Sequence, residues 1–134
     1  MTLKEVQLIQ LPRVLDERGN LSFFENSSQI PFNMARVYWI YDVPGGEVRG
    51  GHAYRNLHEF IIALSGSFDV VLHDGEIKKF FTLNRSYMGL YIPNMIWRHL
   101  ENFSTNSVAL IASNEAYSEQ DYIRNFDEYK LLNK

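Results

Sequence analysis

The chain alternates short hydrophobic segments with turn-forming residues along most of its length. The segments are rich in Val, Ile, Tyr and Phe and are bounded by Gly, Pro, Asp and Ser, a pattern typical of β-strands. The predicted strands cover residues 6–11, 21–25, 35–41, 60–64, 68–72, 79–83, 89–92 and 108–113. An Asp74-Gly75 pair between two of these segments predicts a tight hairpin.

The C-terminal part of the chain has a different pattern. Residues 118–132 have the character of a helix, with Ser118 able to cap its N-terminus and acidic Glu119 and Asp121 in its first turn. About eight or nine short strands and one terminal helix predict an all-β barrel or sandwich, and a small barrel can hold one small ligand. An immunoglobulin-like sandwich and an OB-fold fit less well, because the chain has neither a Cys–Trp–Cys signature nor a basic groove with strand aromatics.

Composition and charge narrow the class of protein. With 134 residues, of which 46% are hydrophobic and 14% aromatic, the sequence predicts a single domain over residues 1–134 with a real core. A net charge of −3 argues against the basic surface that nucleic-acid-binding proteins use. The absence of cysteine excludes disulfides, thiolate metal sites and cysteine nucleophiles. Without a signal peptide or a long apolar run, we expect a soluble cytoplasmic protein that does not enter the membrane.

The most informative stretch lies in the middle of the chain. Its spacing is Gly46, five residues, His52, one residue, Tyr54, four residues, Glu59, six residues and Gly66. Side chains two positions apart on a strand share a face, so His52 and Tyr54 are expected to point the same way. This spacing resembles the first motif of the cupins, which are small β-barrels of the jelly-roll type.

A later stretch, residues 93–102, resembles the second cupin motif. Together the two motifs indicate whether the barrel can bind a metal ion. Metal-binding cupins have a second histidine at the position of Tyr54 and another at the position of Arg98. A divalent ion needs about three or four converging N or O ligands, and a guanidinium has no lone pair to offer. Because His52 and Glu59 alone make a poor site, we predict a barrel that needs neither a metal nor another cofactor.

Without a metal, the predicted pocket retains groups suited to proton transfer. An imidazole can take and return a proton near neutral pH, which makes His52 the leading acid–base candidate. Tyr54 beside it can donate or relay a proton to a carbonyl oxygen that becomes an enolate. Arginines can bind phosphate groups bidentately and stay charged. The residues therefore favour proton transfer next to a carbonyl on a phosphorylated substrate.

From about residue 6 to residue 129 the chain is similar to the sugar 3,4-ketoisomerases that act on dTDP-4-keto-6-deoxyglucose. These enzymes are a branch of the cupins related to the dTDP-sugar 3,5-epimerases. The resemblance rests on five motifs in order: DERG at 16–19, RVY at 36–38, RGGHA at 49–53, GLYIP at 89–93 with Trp97, and Tyr117 with DYIR at 121–124. Each motif alone is weak, but five in order over the right length are a specific match.

The resemblance implies a reaction, a ligand and an assembly. It implies a homodimer that converts a dTDP-linked 4-keto-6-deoxyhexose into its 3-keto isomer for deoxyamino-sugar biosynthesis, with His52 moving the proton between C3 and C4 through an enediol. Family members usually have a second histidine where this chain has Tyr54. Either Tyr54 or an ordered water is therefore expected to move the proton between the two oxygens.

Two catalytic and six substrate-binding residues are predicted. We expect His52 and Tyr54 to be catalytic, Arg49 to contact the phosphates, and Glu59 to orient His52. The predicted substrate-binding residues are Arg18, Tyr38, Arg49, Glu59, Tyr91 and Arg98.

Two other functions remain open at this point. A 3,5-epimerase would act on the same substrate, although the chain lacks the His-Tyr-Gln continuation that we expect in that family. A non-catalytic cupin that binds a nucleotide sugar is the other alternative, and the replacement of the second histidine by Tyr54 favours it.

Overall fold

The computed structural model describes residues 2–134, and Met1 lies outside the described residues. Within that range the chain forms twelve β-strands and one α-helix, α1 (Phe126–Leu132). Short 3-10 helices cover Leu3–Glu5 and Glu119–Asp121. The strands are β1 (Gln7–Gln10), β2 (Arg13–Val14), β3 (Leu21–Ser22), β4 (Arg36–Ile40), β5 (Arg49–Tyr54), β6 (Glu59–Ser65), β7 (Phe68–His73), β8 (Lys78–Leu83), β9 (Met88–Ile92), β10 (Trp97–Glu101), β11 (Val108–Ser113) and β12 (Tyr122–Ile123).

Two five-stranded antiparallel sheets form the body of the protein. The first sheet has the order β1-β9-β6-β11-β4, and the second has the order β12-β5-β10-β7-β8. Strands β2 and β3 form a separate two-stranded ribbon. The predicted all-β, cupin-type jelly-roll barrel with a short C-terminal helix is confirmed.

The main core lies between the two sheets. Strand β6 shows how it is built, because Ile61 and Ala63 face this core while Phe60 and Ile62 face the opposite side. On that opposite side the segment around Ile30 covers the sheet, so five consecutive residues of β6 are buried. A strand covered on both faces reads as a continuous apolar run rather than an alternating one. For this reason the sequence of residues 60–64 predicts a strand but does not show which side chains face the main core.

The predicted Asp74-Gly75 hairpin is also present. Strands β7 and β8 pair antiparallel on either side of it, and Gly75 has a φ of +104°, which a side chain would strain. Asp74 closes the turn, because its Oδ1 accepts hydrogen bonds from the backbone N–H groups of Glu76 and Ile77, each at 2.9 Å.

The prediction of one helix over residues 118–132 is wrong in its first half. The Ser118 side chain caps nothing, and the α-helix begins after Asn125, whose side chain accepts a hydrogen bond from the Glu128 N–H at 2.9 Å. Between the two helical segments, β12 pairs with β5 in the register Tyr122 to Tyr54 and Ile123 to Ala53. Pairing with a strand about 70 residues earlier overrode the local helical pattern, as tertiary contacts often do.

Helix α1 covers the outer face of the second sheet. Tyr129 is fully buried against Trp97, and its hydroxyl donates to the backbone carbonyl of Met95 at 2.9 Å. Over residues 2–134, no helix is both long enough and apolar enough to cross a bilayer.

Candidate active site

Strand β5 carries the two residues that the sequence singled out as catalytic. His52 lies opposite Arg98 of β10, and the register slips between Arg98 and Leu100, where β5 and β10 are irregular. His52 and Tyr54 are both buried, with 6% and 4% of their surface exposed. They point to the same side of the strand, as their spacing of two residues predicts.

His52 and Tyr54 form a hydrogen-bonded pair. The His52 Nε2 atom lies 2.9 Å from the Tyr54 hydroxyl, and the two rings meet edge to face with their centroids 4.7 Å apart. Either group can be the donor, depending on which ring nitrogen of His52 carries the proton. The pair therefore connects a potential proton acceptor directly to a potential proton donor.

The surroundings of this pair keep both groups neutral. Burial, together with the positive charges of Arg98 and Arg124, lowers the pKa of His52 from 6.5 to about 2. Burial, with the negative charge of Glu59 as a second cause, raises the pKa of Tyr54 far above its usual value of 10.0. At neutral pH the site thus holds an unprotonated imidazole beside an intact phenol.

A buried ion pair forms the floor of the site. The Arg98 Nε donates to Glu59 Oε1 at 2.6 Å and its Nη2 donates to Glu59 Oε2 at 3.1 Å, while 2% and 1% of the two side chains are exposed. Arg98 Nη2 also donates to the Tyr38 hydroxyl at 3.1 Å, and Nη1 donates to the Gly50 carbonyl at 3.3 Å. Such a pair withstands burial only when its polar atoms have hydrogen-bond partners, and here every guanidinium nitrogen and both carboxylate oxygens have at least one.

This ion pair corrects the predicted role of Glu59. We expected Glu59 to orient His52, but both of its carboxylate oxygens accept hydrogen bonds from Arg98. The bidentate geometry explains the choice, since a planar guanidinium matches a carboxylate better than an imidazole does. Glu59 therefore fixes Arg98, and Arg98 in turn lies opposite His52 in the paired strands.

Gly50 is required by the close approach of Arg98. It has a φ of +73°, and a Cβ atom at this position would lie 2.2 Å from Arg98 Nη1. No side chain can occupy that space unless the guanidinium moves.

Tyr122 completes the site, and the sequence analysis missed it. Its ring lies 4.9 Å from that of His52 and 4.7 Å from that of Tyr54, edge to face in both cases. The guanidinium of Arg124 lies 4.2 Å from the centre of the Tyr122 ring. Both residues fall within the predicted helix over residues 118–132, and neither is among the predicted catalytic or substrate-binding residues. The sequence carries no signal for their location, because only the β12–β5 register brings Tyr122 next to Tyr54.

The structure brings some of the other predicted residues to this site and leaves others apart. Tyr38 lies on the inner face and contacts Arg98. Tyr91 lies on the outer face of the first sheet, where it packs near Phe32 and its hydroxyl is 2.6 Å from His58 Nδ1. The alternation of side chains along β9 sends Leu90 and Ile92 into the barrel core and Tyr91 out of it, so the sheet separates Tyr91 from His52.

The two remaining predicted residues are on the surface. The side chain of Arg18 is 90% exposed and pairs with Asp16 in the same turn, with Nη2 and Oδ2 2.8 Å apart. Arg49 is exposed at the start of β5, in the irregular part of its pairing with β10. Neither guanidinium has contacts that fix it toward His52.

Within residues 2–134, no three side chains of the His, Cys, Asp or Glu type lie close enough together to hold a metal ion. Arg98 brings a positive charge to the position where a metal-binding cupin would have a ligand. The residues present thus suit acid–base chemistry better than metal binding.

Comparison with known proteins identifies the family. The profile of the family described as "FdtA: WxcM-like, C-terminal" matches residues 4–134. A TDP-4-oxo-6-deoxy-alpha-D-glucose-3,4-oxoisomerase from Aneurinibacillus thermoaerophilus is 37% identical over 126 residues, which are 94% of this chain and 91% of that protein.

Solved structures agree with that match. A histidine-to-asparagine mutant of the 3,4-ketoisomerase QdtA from Thermoanaerobacterium thermosaccharolyticum, in complex with TDP-4-keto-6-deoxyglucose, superimposes with a TM-score of 0.95 at 36% identity, covering 98% of this chain and 95% of that one. The WlaRB TDP-quinovose 3,4-ketoisomerase from Campylobacter jejuni has a TM-score of 0.91 at 38% identity, covering 96% and 98%. The chain therefore belongs to the FdtA/WxcM-like family of sugar 3,4-ketoisomerases.

Proposed function

We propose that this protein is a metal-independent isomerase that converts a TDP-linked 4-keto-6-deoxyhexose into its 3-keto isomer. His52 acts as the base and Tyr54 as its acid partner. The observation that carries this proposal is the 2.9 Å contact between His52 Nε2 and the Tyr54 hydroxyl, in surroundings that keep both groups neutral. The named substrates of the related enzymes support the choice of a TDP-linked keto sugar.

The first half of the reaction forms an enediol. The neutral imidazole of His52 takes the proton from C3, and the electrons of the C3–H bond form a C3=C4 double bond. The carbonyl electrons move to O4, which receives the phenolic proton of Tyr54. A phenol with a raised pKa is a weak acid, so it gives up this proton only as negative charge develops on O4.

The second half reverses these transfers at the neighbouring positions. The O3 hydroxyl returns a proton to the Tyr54 phenolate, C3=O3 forms, and the double-bond electrons take a proton at C4 from the His52 imidazolium. One hydrogen moves from C3 to C4 and one from O3 to O4, and both side chains return to their starting states. Because O3 and O4 lie on adjacent carbons, one phenol can serve both and replace the second histidine of the family.

Arg98 contributes a fixed donor to this pocket. Four of the five N–H groups of its guanidinium are used on Glu59, Tyr38 and Gly50, which leaves one on Nη1. We assign this remaining donor to a sugar oxygen. Since Glu59 holds the guanidinium in place, the donor is oriented before the substrate arrives, which lowers the cost of charge development in the transition state.

Binding of the substrate changes one of the causes that lower the pKa of His52. Burial is the largest cause, and the positive charges of Arg98 and Arg124 add to it. A diphosphate near these cations opposes the contribution of their charges and raises the pKa of His52 from its value in the free protein, while burial continues to keep the imidazole neutral.

The proposal also covers the assembly, the location and the partners of the protein. We propose a cytoplasmic homodimer of one cupin domain per chain that binds no nucleic acid and no membrane. The outer face of β4 exposes Val37 (45%) and Trp39 (58%), and Tyr41 just after the strand is 60% exposed. This apolar surface supports dimer formation, which light scattering can check. Contacts of Tyr91, Arg18 and Arg49 with the substrate stay predictions.

Incubation with TDP-4-keto-6-deoxyglucose in deuterated water tests the proposed reaction. We expect a 3-keto product by NMR, and a loss of about 10²- to 10⁴-fold in kcat for His52→Asn, which removes the base. His99→Asn is the matched control, because His99 lies on the same strand as Arg98 but on the other face, where it contacts Glu101. The control should keep wild-type activity.

The same experiment separates the alternatives. A 3,5-epimerase would place deuterium at C5, which a 3,4-ketoisomerase does not do. A non-catalytic binding protein would bind dTDP without any exchange of carbon-bound hydrogen. The absence of a 3-keto product from the wild-type protein would overturn the proposed function.

A further inference from the structure

Asp121 begins the DYIR motif at residues 121–124, and the proposed reaction gives it no role. It ends the second 3-10 helix, directly before β12, and its side chain is half-buried. Its carboxylate accepts hydrogen bonds from two consecutive backbone N–H groups, Oδ1 from Asn56 at 2.8 Å and Oδ2 from Leu57 at 3.1 Å. Asp121 thereby attaches the segment before β12 to the turn between β5 and β6.

Arg55, in the turn between β5 and β6, makes the complementary attachment. Its Nη1 donates to the backbone carbonyls of Gln120 and Tyr122, each at 3.0 Å, so its guanidinium bridges the residues on either side of Asp121. Its backbone N–H donates to the Asp121 carbonyl at 2.9 Å. Each side chain thus binds the backbone of the opposite segment, and we name the two side chains together the Arg55–Asp121 clamp.

The shortness of β12 makes this clamp necessary. The strand has only two residues, Tyr122 and Ile123, which provide few ladder hydrogen bonds. After β12 the chain is anchored by α1, in which Tyr129 is fully buried. Before β12, residues 115–120 are all exposed, so burial contributes little to holding them in place. The Arg55–Asp121 clamp therefore supplies hydrogen bonds on the side of β12 where packing is weakest.

Tyr122 connects the clamp to the reaction site, because it follows Asp121 directly in the chain. The centre of its ring lies 4.9 Å from that of His52 and 4.7 Å from that of Tyr54, and the last two are 4.7 Å apart. Each ring of this cluster meets the other two edge to face, an arrangement that aromatic rings prefer. The position of Tyr122 therefore limits the tilt of both the imidazole and the phenol.

We propose that Asp121 is a positioning residue for the isomerisation, which holds Tyr122 against His52 and Tyr54 and so keeps the base and its acid partner aligned with the substrate. The reaction that it serves rests on the proposed function. Asp121 acts through Tyr122, because both of its carboxylate oxygens are used on the turn between β5 and β6. Proton transfer requires accurate geometry, and a misplacement of about 1 Å can lower a rate by about 10²-fold.

Steady-state kinetics of Asp121→Asn test this role. The amide has the size of the carboxylate, but whichever way it turns, its NH2 group faces one of the two backbone N–H groups. We expect kcat to fall by about 10-fold and KM to change by less than about twofold, at a temperature where the variant is fully folded. Asp127→Asn is the matched control, because the Asp127 side chain is 88% exposed on α1 and pairs with Lys130. The control should keep the wild-type kcat.

A double-mutant cycle separates positioning through Tyr122 from a general loss of structure. Tyr122→Ala removes the ring through which Asp121 acts, so in that background Asp121→Asn should lower kcat by less than about twofold. Arg55→Met removes the other half of the clamp and should behave in the same way, which keeps the test available if Asp121→Asn does not fold. A full 10-fold loss in the Tyr122→Ala background would overturn the proposal, as would wild-type kcat in the single clamp variants.

NMR of the His52 ring distinguishes this inference from the proposed function, because it needs no substrate. The ¹H and ¹⁵N signals of the imidazole depend on the neighbouring rings and on the hydrogen bond to Tyr54. We expect Asp121→Asn to shift these signals and Asp127→Asn to leave them unchanged. Shifted signals in Asp121→Asn together with a wild-type protein that has no turnover would overturn the function and keep the positioning of His52. Turnover by the wild-type protein with unchanged signals and kcat in Asp121→Asn would do the reverse.

Discussion

The low pKa of His52 makes the stability of the protein depend on pH in a way that one substitution should abolish. Burial is the largest cause of the shift, and it acts only in the folded state. In the unfolded chain, His52 titrates near the ordinary value of 6.5. Above that pH the imidazole is neutral in both states and contributes nothing to the pH dependence.

Below pH 6.5 the two states differ in the protons that they bind. The unfolded chain takes up a proton at His52 and the folded protein does not, so the free energy of unfolding falls as the pH falls. The slope approaches about 1.4 kcal/mol per pH unit, and the loss between about pH 7.5 and pH 5 amounts to about 2 kcal/mol. It continues toward the folded-state pKa of about 2.

Urea denaturation of the wild-type protein and His52→Asn at several pH values measures this contribution. Over the stated range, we expect the wild-type protein to lose about 2 kcal/mol more stability than the variant. Tyr54→Phe is the control, because it removes the hydrogen bond to His52 but keeps the burial that is the main cause of the low pKa. It should follow the wild-type dependence. Parallel curves for the wild-type protein and His52→Asn would refute the reasoning, since His52 would then titrate alike in both states.

Three further predictions concern the residues around His52. Glu59→Gln leaves Arg98 buried without its counter-charge and should lower the free energy of unfolding by about 3–5 kcal/mol, as measured by urea denaturation. The double variant with Arg98→Met should lose less stability than the sum of the two single variants. Gly50→Ala should cost about 1–3 kcal/mol and lower kcat, because the added Cβ would lie 2.2 Å from Arg98 Nη1 at a φ of +73°; wild-type denaturation and kinetics would contradict the need for glycine. Tyr54→Phe should lower kcat by about 10²-fold or more with little change in KM in steady-state assays, and an unchanged kcat would exclude Tyr54 as the proton donor.

The local sequence pattern was sufficient to predict most strands of the barrel and the common orientation of His52 and Tyr54. Most of the β-rich segments and the Asp74-Gly75 turn lie where the sequence predicts them, because strand propensity and turn chemistry are set within a few residues. The predicted strand over residues 21–25 is an exception, since only Leu21–Ser22 is a strand. The common orientation of His52 and Tyr54 follows from their spacing on one strand, which is a property of the extended backbone itself. The motif spacing likewise indicated the cupin fold and the replacement of metal ligands by Tyr54 and Arg98.

Tertiary contacts decided what surrounds that pair. Tyr122 reaches His52 only because β12 pairs with β5, and the same pairing shortened the predicted helix. Glu59 and Arg98 are 39 residues apart, and their ion pair forms because β6 and β10 face each other across the barrel. Side-chain alternation along β9 places Tyr91 on the outer face. Because β9 is covered on both sides, its sequence is apolar throughout, and periodicity alone cannot show which face each residue takes.

The sequence by itself determined that this chain forms a cupin-type barrel with His52 and Tyr54 on one face of a strand. The tertiary structure decided that both groups are neutral and that Glu59 holds Arg98 rather than His52. The physical reason is the range of the interactions. Strand formation and side-chain alternation act over a few residues, whereas burial, ion pairing and pKa depend on strands that meet only when the barrel closes.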